Sequence, residues 1–135
     1  MRFNIFLAML FCHVIADYNL QGCLADMKQK SWWRRELAKL KLDLEQTHYK
    51  NDYKMALCVH GFSWSVISMS PLVYLCWESC PWRLFWFVLW NAAFHAMVDH
   101  LKANAYLFNL IEDQLLHVLQ LAGTFWVFFK YIKLG

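Results

Sequence analysis

The sequence predicts an all-α fold: an integral membrane four-helix bundle with a cytoplasmic amphipathic interfacial helix between spans 1 and 2. Three observations lead there. Hydrophobic residues make up 60% of the 135, with eight Trp, eleven Phe and only four Gly and two Pro, whereas soluble domains are about 45–50% apolar. Four apolar segments, 3–25, 55–77, 84–107 and 109–132, each reach the length of roughly 20 residues that a bilayer-crossing helix needs. Stretches such as "LFWFVLW" (84–90) and "FWVFF" (125–129) are apolar all round, where a water-soluble bundle would keep a polar stripe on each helix. The chain, 1–135, has the length of a single domain.

Span 1 carries "HVIADYNLQ" (13–21), a histidine, an aspartate and a glutamine one turn apart. A cleaved lipoprotein signal is not expected, although "LQGC" (20–23) imitates its processing site, because His13 and Asp17 interrupt the apolar stretch such a signal requires. The loop 27–54 follows, holding eight of the thirteen Lys and Arg. In it Trp33, Leu37, Leu40 and Leu44 recur at helical spacing opposite Arg34, Arg35, Lys39 and Lys41, the pattern of a helix lying on an anionic membrane surface. The basic bias makes this loop cytoplasmic, with both termini outside and Arg2, Arg83, Lys130 and Lys133 on the far side. The net charge of +3 is thereby a topology signal, and no nucleic-acid partner is expected. "ESCPWR" (78–83) forms the outer turn and "ANAYLFN" (103–109) contains the inner one. Five cysteines at 12, 23, 58, 76 and 80 follow neither zinc nor disulfide spacing and read as apolar filler.

The chemistry lies in the polar residues within the spans. A lone Asp at the centre of a span costs about 2.5–3.5 kcal/mol on insertion scales, so such residues face the bundle interior and find partners. His13/Asp17, His95/Asp99 and Asp113/His117 are each four residues apart, on one helix face. Spans 1 and 3 run inward with His first, and span 4 runs outward with Asp first. Every Asp therefore sits nearer the cytoplasm, and each His about 6 Å deeper. His60, six residues past Lys54, falls in the same half.

Imidazole and carboxylate together are the donor set of a divalent metal, zinc first with iron or manganese as alternatives. The candidate ligands are His13, Asp17, His60, His95, Asp99, Asp113 and His117, a surplus that implies outer-shell orienters or two ions. Gln21 and Gln114 are assigned to that outer shell. A metal-free network of hydrogen bonds and ion pairs, with imidazolium or Lys102 balancing the aspartates, is the alternative. His100 points to a neighbouring interface, and Lys102 either meets a substrate phosphate or reaches to the headgroups.

The motifs H-x3-D-[FY]-x-L-Q (His13–Gln21), H-x3-D-x2-K (His95–Lys102) and D-Q-x2-H (Asp113–His117), with His60 between them, resemble a domain-of-unknown-function family of small integral membrane proteins of bacteria and their phages. The resemblance implies a multi-span fold in the bacterial inner (cytoplasmic) membrane. It carries no activity, and the basic loop has no counterpart in it.

Three functions are compatible with such a site. One is a metal-dependent hydrolase of a membrane-proximal or lipid-linked ester, with Asp17 or Asp99 moving the proton and Lys102 neutralising charge on an anionic lipid substrate. Another is a non-enzymatic module that binds another membrane protein. The last is a proton or metal-ion conduit, disfavoured because the outer stretches "FNIFLAML" (3–10), "LFWFVLW" (84–90) and "LAGTFWVFF" (121–129) of spans 1, 3 and 4 offer only Asn4 and Thr124 as polar side chains.

Overall fold

The computed structural model describes residues 2–76, 78 and 80–131. The expected span ends at Trp77 and Ile132, and the Lys133 charge, lie outside the described residues. Among those residues the fold is all helical: α1 (Arg2–Val14), continued by a π turn (Ile15–Asn19), α2 (Leu24–Met27), α3 (Lys30–Lys39), α4 (Asp52–Cys76), α5 (Pro81–Ala103) and α6 (Leu110–Tyr131). α1, α4, α5 and α6 pack as a ring, each touching its two neighbours, with α4 against α5 the most extensive pairing. One described stretch, His48–Cys76, is long and apolar enough by composition to cross a membrane. The four-span arrangement is taken up below.

The interior has two ends. One is apolar, built on Met9, Trp64, Met69, Leu72, Leu84, Leu121 and Phe128, all fully buried. The other buries His13, Asp17, His60, His95, Asp99, Asp113 and His117. Large apolar residues face outward in helical stripes: Phe3, Leu7, Phe11 and Val14 on α1, Trp82, Phe85, Trp86 and Trp90 on α5, and Ile111, Leu115 and Leu119 on α6.

Local sequence explains the departures from regular helix. Pro71 lies inside α4 and has no N–H to give the Ile67 carbonyl four residues back. The Ser70 hydroxyl donates to that carbonyl instead, at 2.7 Å. α5 opens on Pro81 at its first turn, where a missing N–H costs nothing. α1 was expected to run unbroken through 25, yet the backbone widens into the π turn around Asp17, closed by Leu20 N–H donating to the Ile15 carbonyl at 3.0 Å.

The basic loop also differs from expectation. α3 stops at Lys39, and Lys41 takes a left-handed φ of 59°. Lys41 N–H donates to Ala38 O and Leu42 N–H to Leu37 O, the paired bonds of a Schellman ending. The expected apolar face is therefore cut short: Leu37 and Leu44 are buried, but Leu40 is exposed. Lys30 fastens the 3-10 turn Leu44–Gln46 through Glu45 at 2.7 Å, and this hydrogen bond holds the Glu45 carboxyl below its usual range.

The approach of α4 to α5 depends on Gly61. A Cβ there would meet the Ala92 carbonyl at 2.7 Å and the Ala96 Cβ at 3.1 Å. The contact lies beside His60 and one turn from His95, so it sets the spacing of the site. Gly61→Leu is expected to lower the thermal midpoint of the detergent-solubilised protein by an amount equivalent to about 1–3 kcal/mol, the usual cost of overpacking. Gly123→Ala on α6, where a Cβ meets nothing within 4 Å, should stabilise or leave the midpoint unchanged.

Candidate metal centre

Four helical segments deliver the site. The π turn presents Asp17, α4 His60, α5 His95 and Asp99, and α6 Asp113 and His117. His60 Nε2 lies 3.3 Å from Asp17 Oδ1, 3.2 Å from His95 Nε2 and 3.4 Å from Asp99 Oδ2. His95 Nε2 lies 3.8 Å from Asp17 Oδ1 and 3.7 Å from Asp99 Oδ2. Ligand atoms around a tetrahedral zinc at about 2.0–2.1 Å stand about 3.3–3.4 Å from one another. These five separations bracket that edge length or exceed it by a few tenths of an ångström. Two groups, Asp17 with His60 and His95, and His95 with Asp99 and His117, offer atoms close enough to share an ion, so the buried His and Asp cluster could hold a metal.

The remaining expected residues take other places. His13 sits beside the cluster: its Nδ1 accepts from the Trp64 indole N–H at 2.8 Å. In the neutral tautomer that acceptance leaves the proton on Nε2. His117 Nε2 faces Asp99 Oδ1 and Asp113 Oδ1, each at 3.4 Å. Gln114 donates to Asp17 Oδ2 at 2.7 Å and to Asp113 Oδ2 at 3.2 Å, as an outer-shell amide does. Gln21 donates only to the backbone carbonyl of Asp17. Lys102 pairs with Asp113 Oδ2 at 2.6 Å and does not extend away to the headgroups. His100 stacks on Tyr53, with ring centroids 6.1 Å apart.

Three features were not foreseen. Lys28, from the turn after α2, reaches Asp99 Oδ2 at 2.7 Å. It is aimed there by Asn104, whose amide donates to the Lys28 carbonyl and whose Oδ1 accepts from Lys30 N–H. Nothing periodic in the sequence signals this contact. Trp64 stacks on His95 with centroids 4.1 Å apart, and its place four residues after His60 puts it on that face. A second polar group lies deeper: Asn91 Oδ1 accepts from Gln120 at 2.9 Å and from Thr124 at 3.0 Å. Asn91 precedes His95 by one turn and Thr124 follows Gln120 by one turn, so helical spacing carried that signal as well.

No family model, curated protein or solved structure matches this chain, so the motif likeness described above rests on those residues alone.

Three carboxylates (Asp17, Asp99, Asp113) meet two ammonium groups, Lys28 and Lys102, in the buried cluster. A lysine bonded to a ligand carboxylate competes with a cation for it. Lys28→Gln is expected to raise divalent-ion affinity by about tenfold or more, on the basis that a charged hydrogen bond is worth about 1.5–3 kcal/mol. Competition against a fluorescent chelator measures it; unchanged or weaker affinity would show that Lys28 does not occupy cation space.

Proposed function

We propose that this chain is a four-span protein of the bacterial inner membrane, both termini outside, that holds zinc in the cytoplasmic half and hydrolyses a membrane-proximal or lipid-linked ester. The carrying observation is the pair His60 Nε2 and His95 Nε2, 3.2 Å apart and flanked by Asp17 Oδ1 and Asp99 Oδ2 at 3.3–3.8 Å, inside a bundle that buries its polar groups and turns Phe, Leu and Trp outward. That inverted polarity suits a lipid solvent. α5 and α6 fall below the composition expected of a span because their His, Asp, Asn and Gln count against it, yet many of those side chains face inward. Mixed imidazole and carboxylate donors favour zinc over calcium or magnesium.

A divalent ion there supplies Lewis acidity and lowers the pKa of water towards about 7. The protein's part is positional. Asp17 Oδ2, turned from the cage and held by Gln114, accepts the proton as the water oxygen bonds to the ester carbon or phosphorus. The same carboxyl returns the proton to the alcohol oxygen as the ester bond breaks. Lys102, about a third exposed, stands at the edge of the cluster where charge on the substrate would develop. The basic α3 concentrates an anionic amphiphile at that surface.

One observation favours a second reading. With Lys28 and Lys102 already paired to aspartates, a single imidazolium balances the third, and the cluster becomes a metal-free brace in a module that binds another membrane protein. A conduit is less well supported, because beyond Asn91 and Thr124 the interior closes on Leu72, Leu84 and Phe128.

The test is lipid profiling of membranes containing wild type, Asp99→Asn or His60→Ala, at equal accumulation. A phosphate- or ester-bearing amphiphile should be depleted by wild type and spared by both variants. Identical profiles in all three would remove the hydrolase and leave the interaction module.

A further inference from the structure

We infer that the centre takes two divalent ions, bridged by Asp99, with the second ion on Asp99 Oδ1, Asp113 Oδ1 and His117 Nε2. The inference rests on the metal reading above and extends it to a site on the other side of one carboxylate.

The two oxygens of Asp99 face different partners. Oδ2 belongs to the cage with His60 and His95, whereas Oδ1 lies 3.4 Å from His117 Nε2. His117 Nε2 lies a further 3.4 Å from Asp113 Oδ1. A carboxylate that turns each oxygen to a separate set of donors is the usual bridge of two-metal sites, whose ions stand about 3.5–4 Å apart.

An independent observation points to a ligand in that second position. His117 Nε2 and Asp113 Oδ1 are buried and face each other, yet neither has a hydrogen-bond partner. Leaving a buried imidazole nitrogen or carboxylate oxygen unsatisfied is destabilising, more so when the group is charged. An imidazolium would direct its single Nε2–H at one oxygen, but the angles here serve neither. A cation needs no such direction. It accepts Nε2 together with an oxygen on either side of it, each 3.4 Å from Nε2 and close to the tetrahedral edge.

At the first position His60 Nε2, His95 Nε2 and Asp99 Oδ2 stand 3.2–3.7 Å apart, with Asp17 Oδ1 on His60 at 3.3 Å. The second has His117 and two aspartates, and three protein donors leave a place for water or substrate, as catalytic sites do. Two ions also settle the charge: four positive charges against three carboxylates leave one, provided that Lys28 and Lys102 swing out. Both lysines are the more exposed members of their pairs. An anionic substrate group, such as a phosphate ester, would neutralise that remainder.

The experiment is metal stoichiometry on the full chain in detergent, by mass spectrometry of metal-replete protein, with manganese loading followed by electron paramagnetic resonance. Wild type should hold two ions per chain and show an exchange-coupled manganese signal. His117→Ala, and Asp113→Asn in case the alanine variant fails to fold, should hold about one ion and show only the isolated six-line signal. One ion in wild type, unchanged in both variants, would overturn the inference and leave the first site standing. Two ions that persist in both variants would overturn it too, by placing the second elsewhere. No ion in wild type would sink this inference and the metal reading together.

Discussion

Everything in this fold answers to the cost of burying three carboxylates among four imidazoles in an otherwise apolar bundle. Asp17, Asp99 and Asp113 are all at most 5% exposed. An isolated buried carboxylate is too costly to keep, so each must be paired, hydrogen-bonded or bound to a cation. The chain meets that demand from every direction: Gln114 from α6, Lys102 from α5, Lys28 from the turn after α2, and the imidazoles of α4, α5 and α6. Only His117 Nε2 and Asp113 Oδ1, among the carboxylates and their imidazole partners, face each other without a directed hydrogen bond, and the proposed second cation would meet both.

This constraint explains the architecture around the cluster. Gly61 lets α4 and α5 come close enough for His60 and His95 to meet Nε2 to Nε2. The π turn shifts Asp17 out of α-helical register with His13, and such turns recur at functional sites. His13 then faces Trp64, while Asp17 faces the cage. Trp64 closes the cluster from the apolar side by stacking on His95, which separates the polar end from the Leu and Phe core. Small changes in Gly61 or Trp64 therefore act on ligand geometry as well as on packing.

Much of this was legible in the sequence. The reversal of His and Asp order between spans running in opposite directions placed the three pairs at one depth, and the side chains do converge. All-helical structure followed from segment length and apolar content. The rest was hidden for particular reasons. Four-residue spacing assumes a regular α-helix, so the π turn at Asp17 and the turning of His13 towards Trp64 have no signal in it. Lys28 arrives from a turn, where no periodicity operates. Asn91, Gln120 and Thr124 carry a one-turn signal relative to His95 and to each other, and they meet in a second polar group deeper in the bundle. The face of α3 was overextended through Leu40 because Lys41, an unusual residue for a left-handed ending, gave no stop signal.

The most direct test of the metal centre is X-ray absorption at the zinc edge of protein purified from zinc-replete cells. The cage predicts nitrogen and oxygen neighbours at about 2.0–2.1 Å with the outer-shell scattering of imidazole rings. A sulfur shell at about 2.3 Å, which would implicate the cysteines, or a light-atom shell without imidazole scattering, would contradict the assignment of His60, His95 and the aspartates as its ligands.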